Sequence, residues 1–577
     1  MARVVFRYGL AISSLFFLTE SPLQAQSVSE EPSLEETIQQ TIPPNTEPLP
    51  DRQPTSRDRK PKITTLEANV LGKCQLDSKA SIIDYRDRFF IREILVKGNT
   101  VLYAEIEQII ANSQLKYRTA TFEDLVCLRS QITSLYLDRG YVTSGAFLAN
   151  NQDLSTGLIT IQIVEGELEE IVLTGLERLQ ESYLRQRLAA ASQKPLNIRE
   201  LETGLQLLVL NPLFQRVDAE LTAGQKPGNN ILLVDVKQAN SFTAGIAFDN
   251  YRSPSIGEFQ GSVNLAHGNL LGFGDRVYAE YGFTEGLDIY SAGYAIPWNV
   301  KNGTLSFSYN NSDSGVITEQ FRDLDIDSET ETFSVALSQP LKLTPNEEFT
   351  VGISLDVRER KTFLNGEPFS FSLGAEDGES RVSVLRFTQD WVKRDASSVL
   401  AARSRFSLGI DAFDATFNDT GTDGNFLTWQ AQAQWVKQFR PGLLFIARFG
   451  GQFTGDSLLS LEQFSLGGVN TVRGYRENQL VTDSGIVSTL EMQIPLTKNP
   501  DTLQLNPFFE IGTGWNDNEP DPEDATLASI GMGVRWNISG GLLLNVDYGI
   551  PLLDVGDEGD SLQENGFHVS VSYQPSF

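Results

Sequence analysis

Cysteine and histidine are scarce in this 577-residue chain, at two residues each, and methionine occurs three times. So few sulfur and imidazole ligands exclude a typical zinc or iron–sulfur centre, and neither metal nor cofactor is expected. Positive charge is short as well. Against 75 Asp and Glu stand 46 Lys and Arg, a net charge of −29, which argues against nucleic acid as a partner because Lys and Arg must neutralise its phosphates. Beyond the extreme N-terminus no apolar run approaches the roughly 20 residues that a membrane-crossing helix needs. A GxxxxGK[ST] phosphate loop is absent too. Present in quantity are glycine, at 47 residues, and phenylalanine, at 34. With hydrophobic residues at 40% and aromatics at 10%, the chain can bury apolar surface and is not disordered throughout.

The N-terminus indicates export. Arg3 and Arg7 precede an apolar stretch at residues 8–18, and Leu23-Gln24-Ala25 is an imperfect cleavage site, so residues 1–25 read as a signal peptide. Residues 26–42 hold a short helical pattern in which Ser33 caps and Glu36 follows three positions on. Residues 43–72 are a proline-rich linker that cannot build a core. Beside a barrel lumen, a short helix on such a tether is a candidate plug. Only helices and closed barrels satisfy their backbone hydrogen bonds in lipid. An exported chain without apolar helices is therefore either soluble or a barrel.

From about Phe242 onward, alternation decides between them. Leu427, Trp429, Ala431, Ala433 and Trp435 alternate with Thr428, Gln430, Gln432 and Gln434. Leu542, Leu544, Val546, Tyr548 and Ile550 oppose Leu543, Asn545, Asp547 and Gly549. Period two with one apolar face is the strand signal, and about sixteen such segments between residues 240 and 577 fit an even-stranded transmembrane barrel. The expected starts are Phe242, Gly261, Arg276, Ile289, Gly303, Thr332, Phe349, Arg381, Ala402, Phe426, Leu443, Gly485, Leu505, Leu527, Leu542 and Gly566. Phe577 continues the face of Tyr573, Val571, Val569 and Phe567, which resembles the terminal signal that outer-membrane proteins show their barrel-assembly machinery.

Between the linker and the barrel the pattern changes. Residues 73–166 and 167–239 each read strand–helix–helix–strand–strand, the order of POTRA domains. In the longer helix of the first module, Leu125, Leu128, Ile132, Leu135 and Tyr136 share one face. Cys127 lies off that stripe and is not expected in the core. The other cysteine, Cys74, precedes the first strand. Export permits a disulfide, so a Cys74–Cys127 bridge is expected, the alternative being two free thiols.

Residues 454–484, between the eleventh and twelfth expected strands, carry Leu466-Gly467-Gly468 and then Val472-Arg473-Gly474-Tyr475. With the N-terminal helix, the linker, two POTRA-like modules and sixteen strands, this VRGY loop resembles the TpsB transporters of two-partner secretion, which export filamentous haemagglutinins and haemolysins. Asp390-Trp391 with Arg394-Asp395 also resembles a recurrent family segment. The resemblance implies an outer-membrane pore whose periplasmic POTRA domains take a secreted, β-helical TpsA-like exoprotein. It also implies a VRGY loop folded into the lumen, with its arginine on an acidic residue of an F-x-D-x-G segment. Here that segment is Phe508-Phe509-Glu510-Ile511-Gly512, with Glu in place of Asp. A BamA-like insertase and a plain porin are the alternatives. An enzyme is not expected, since His267 and His568 are the only histidines, and His568 two positions from Ser570 shares its face without forming a triad.

Overall fold

A computed structural model of the chain describes residues 63–65, 88–150, 152–419, 421–556 and 559–575. The expected signal peptide and plug helix, most of the linker, Cys74 and Phe577 lie outside the described residues.

The described chain begins with β1 (Ile63–Thr65). The first module comprises β2 (Arg88–Ile91), β3 (Glu93–Lys97), α1 (Tyr103–Ser113), β4 (Arg118–Thr121), α2 (Phe122–Asp138), β5 (Gly145–Leu148) and β6 (Leu158–Val164). Its sheet runs β3-β6-β5, and β2 pairs with β4. The first strand of the module is broken into β2 and β3 at Arg92, and the β2–β4 pair is an element that alternation over so few residues does not reveal. Thr121 and Asp124 form a reciprocal capping box at the start of α2. Gly140, at φ +94°, turns the chain out of the helix end, a conformation costly for any residue with a β-carbon. Leu125, Leu128, Ile132 and Tyr136 are fully buried against Ile91, Ile159 and Ile161. Cys127 is buried too, at 2% exposure, though outside the hydrophobic cluster that the stripe builds, and it is disulfide-bonded. The helix is covered over more than its apolar stripe. Tyr136 donates to Glu165, and burial together with that carboxylate pushes the phenol pKa up.

The second module contains β7 (Glu167–Thr174), α3 (Glu181–Ala190), α4 (Ile198–Leu210), β8 (Phe214–Ala223) and β9 (Asn229–Gln238), with the expected order and nearly the expected bounds. Its sheet runs β1-β8-β9-β7. Part of the linker thus adds a parallel strand to an edge, where no regular structure was expected. Backbone bonds from Ile198 to Gly140 and from Leu196 to Gly166 join the two modules. On the other side, the Gln180 amide donates to the Gly272 carbonyl and Arg187 Nε donates to Asn302, tying α3 to the periplasmic turns of the barrel.

The barrel follows as β10 (Phe242–Asp249), β11 (Gln260–Gly268), β12 (Arg276–Phe283), β13 (Leu287–Pro297), β14 (Thr304–Gly315), β15 (Ile326–Leu343), β16 (Glu347–Leu364), the two-residue β17 (Glu367–Pro368), β18 (Glu379–Arg394), β19 (Ser398–Gly409), β20 (Leu427–Arg440) and β21 (Leu443–Thr454). A short pair, β22 (Phe464–Leu466) and β23 (Leu480–Thr482), precedes β24 (Ser484–Pro495), β25 (Leu503–Trp515), β26 (Thr526–Ser539), β27 (Leu542–Pro551) and β28 (Phe567–Tyr573). Among the described residues, sixteen long antiparallel strands close through β10 on β28. Side chains alternate as the pattern required. On β20, Leu427, Trp429 and Trp435 are exposed outward, whereas Thr428, Gln430 and Gln434 are buried inward. The outer face suits lipid and the inner face suits a polar lumen. No described helix is long and apolar enough to cross a membrane.

Candidate functional site: a loop held inside the lumen

β21 and β24 are neighbours in the barrel, and residues 455–483 between them turn inward. The β22–β23 hairpin stiffens this loop, and Phe464, Leu466, Val472, Tyr475 and Leu480 pack together with Leu527 of β26. The VRGY residues stand at its tip. Val472 is fully buried in that cluster.

Arg473 is 6% exposed and meets three carboxylates from three strands. Its Nε and Nη2 donate to Glu510 Oε1 of β25 at 3.0 and 2.6 Å, and its backbone N–H donates to Glu510 Oε2 at 2.7 Å. Nη2 also donates to Glu491 of β24 at 3.0 Å, and Nη1 to Asp547 of β27 at 3.0 Å. The guanidinium carbon lies 3.6 Å above the centre of the Phe508 ring. A buried guanidinium must recover its lost hydration, and charge-assisted hydrogen bonds to several carboxylates with a cation–π contact do so. The longer side chain of Glu510, compared with Asp, reaches both the guanidinium and the backbone of Arg473.

Close backbone approach completes the seat. Gly474, at φ +97°, lies against Gly549 of β27, and a β-carbon on Gly549 would stand 2.7 Å from the Arg473 carbonyl group. A β-carbon on Gly512 would meet Leu466 at 2.9 Å. The Gly474 N–H donates to His568 Nε2 of β28 at 3.2 Å, and the Tyr475 hydroxyl lies 2.9 and 2.8 Å from the carbonyl oxygens of Ala528 and Leu553. Beside the tip, a cavity of about 460 Å³ has a mixed lining, with Gln430, Gln434, Arg448, Arg473, Glu491 and Glu510 alongside Phe449, Phe464 and Val487.

The structure therefore brings Val472, Arg473, Gly474 and Tyr475 together with Phe508, Glu510 and Gly512. It adds Glu491, Asp547, Gly549 and His568, which no local motif marks. Inward phase on their strands was the available signal, but many residues share that phase. The segment around Asp390 does other work. Arg403 donates to Asp390, and Asp395 accepts from Ser397 and Ser398 in a turn. These bonds, first that from the Ser398 hydroxyl, hold its carboxyl down to about 2. Tyr573 ends β28 and faces outward. Among the described residues no group of His, Cys, Asp and Glu could hold a metal ion.

A closed barrel with a loop of its own folded into the lumen and two α+β modules ahead of it defines an outer-membrane transport barrel. The chain belongs to the haemolysin secretion/activation protein family ShlB/FhaC/HecB, which residues 228–536 match, and residues 89–166 match the ShlB-type POTRA domain. It is similar to the outer membrane transporter CdiB of Dickeya dadantii, at 25% identity over 78% of this chain and 81% of that protein. Similarity extends to the heme/hemopexin transporter protein HuxB of Haemophilus influenzae, at 22% identity over 82% and 85% of the two chains. The fold matches the solved structure of CdiB from Escherichia coli with a TM-score of 0.67 at 22% identity, covering 86% of this chain and 93% of that one. The chain is an outer-membrane transporter of the two-partner secretion class, with its POTRA modules in the periplasm.

Proposed function

We propose that the POTRA modules capture one unfolded, β-helix-forming exoprotein in the periplasm and that the barrel passes it outward as the VRGY loop shifts within the lumen. The observation that carries this reading is the loop tip, tied to the wall through Arg473 and Glu510. A tie made of hydrogen bonds and ion pairs on the edge of a cavity can serve as a reversible closure. Capture by strand addition to a POTRA sheet edge is supported by β1, since an extended segment of the chain itself already lies along β8.

In this reading residues 1–25 direct export, 26–42 form a plug, 43–72 tether it, 73–166 and 167–239 receive cargo, and 240–577 form the pore. Cys74 pairs with Cys127 and pins the entering segment to α2. Phe577 and Tyr573 present the terminal signal to the barrel-assembly machinery. Arg473→Ala tests the function. Secretion of the partner is expected to fall at least tenfold and the conductance of the purified pore to change. If both stay at the wild-type level, the loop is not the closure.

A further inference from the structure

Around Arg473 the lumen wall is acidic, whereas the wall across from it carries buried arginines. Arg358 on β16 and Arg386 on β18 are both buried and point inward. Between them lies Glu462, at 0% exposure, from the single 3₁₀ turn Ser460–Glu462 where the loop enters the lumen. Arg358 Nη1 donates to Glu462 at 2.9 Å, and Arg386 Nη1 and Nη2 donate to it at 3.0 and 2.8 Å. Arg386 also holds Asp356 of β16 and donates to Ser407 of β19. Leu458, Leu459 and Leu461 pack on Val382 and Val384 of β18 and on Phe426, excluding water from the same spot. Gln452 of β21 donates from its amide nitrogen to the carbonyls of Glu462 and Asp483, holding the two limbs of the loop together at its neck.

We infer that Glu462 is a second, fixed anchor of the lumen loop, so that the loop pivots about its base when the Arg473 tip lets go. The two attachments are opposite in sign, and only the one at the tip opens onto the cavity in the lumen. At the base, one loop anion and Asp356 face two arginines inside an apolar cluster, so separating them would leave buried charges without partners. That is the expensive way to break an ion pair. At the tip, Val472 and Tyr475 also pack in an apolar cluster, but the loop cation between Glu491, Glu510 and Asp547 itself lines the cavity of about 460 Å³, where water or a passing cationic side chain can take its place. Glu462 is thus a positioning residue: it acts on the pore through where it keeps the tip. Moving the tip while holding the base widens the lumen without expelling the whole loop.

Full-length protein in liposomes, its disulfide kept oxidised, provides the test. Single cysteines replace Ser460 at the base, where a thiol is nearly isosteric and the site is 4% exposed, or Val472 at the tip, which is 0% exposed. Labelling by a membrane-impermeant maleimide is then compared. Arg473→Ala is expected to raise labelling at 472 at least fivefold while 460 stays within twofold of the parent. Glu462→Gln is expected to raise labelling at 460 at least fivefold with Arg473 intact, and Glu462→Asp to restore part of the protection. Equal release of both sites by Arg473→Ala overturns the pivot. Continued protection of 460 in Glu462→Gln overturns the anchor. Gel mobility before and after boiling confirms a folded barrel. If Glu462→Gln fails that check, Arg358→Gln, which leaves Arg386 on Glu462, is read by the same criteria. The proposal rests on the loop being a movable closure, but labelling needs no cargo, so its failure is distinct from a failure to secrete.

Discussion

At the scale of single residues, the lumen seat depends on two kinds of side chain that a substitution can separate. Glu510 supplies charge and two oxygens, so Glu510→Gln keeps the shape while removing the anion from a buried guanidinium. Losing one partner of a buried pair typically costs about 3–5 kcal/mol. The tip is expected to release, with conductance events of wild-type frequency counting against that role. Gly549 supplies only absence. A β-carbon there would stand 2.7 Å from the backbone of Arg473, so Gly549→Ala is expected to displace the tip as effectively as Arg473→Ala although no charge changes. Pore recordings of the two variants side by side check this. Phe508, Glu510 and Gly512 were legible through the family resemblance, because they lie together in one short segment that matches its F-x-D-x-G pattern. Glu491, Asp547 and His568 were not, since their meeting with Arg473 depends on strand register and on where the loop turns.

At the scale of elements, the POTRA modules were readable wherever a pattern ran long enough. The α2 stripe placed Leu125, Leu128, Ile132, Leu135 and Tyr136 in the core; four are fully buried, and Leu135 is partly buried against the same cluster. Leu128→Ala is expected to destabilise the first module by about 2–5 kcal/mol, and removing the cap with Thr121→Ala by about 1 kcal/mol. Hydrogen exchange in the full-length protein would show both as lost protection within residues 88–164 and unchanged protection in the barrel. The four-residue β2 and β4 escaped the sequence because so few alternations cannot be told from chance. Cys127 shows a related limit: a helix face without leucines can still be covered by chain from elsewhere. Counting thiols on unreduced, denatured protein checks its pairing, with zero free thiols expected and two ruling out Cys74–Cys127.

At the scale of the whole molecule, β16 and β18 do more than span lipid. At 18 and 16 residues they exceed the roughly 9–11 needed for a crossing, and their inward arginines hold the base of the loop. The second module is docked on the periplasmic turns through Gln180, Tyr183 and Arg187. Arg187→Ala is therefore expected to loosen module from barrel, read as raised protease cleavage near residue 239 with the heat-modifiable gel shift retained. Alternation alone determined the barrel, its strand number and its two faces, because a strand turns successive side chains to opposite sides whatever its neighbours are. Helical spacing and turn residues likewise determined the two modules, and the VRGY letters singled out the loop. Tertiary structure alone decided that three acids rather than one receive Arg473, and that Glu462 sits between two arginines. Such contacts join strands far apart in the chain, and their energy depends on burial and distance, neither of which local sequence encodes.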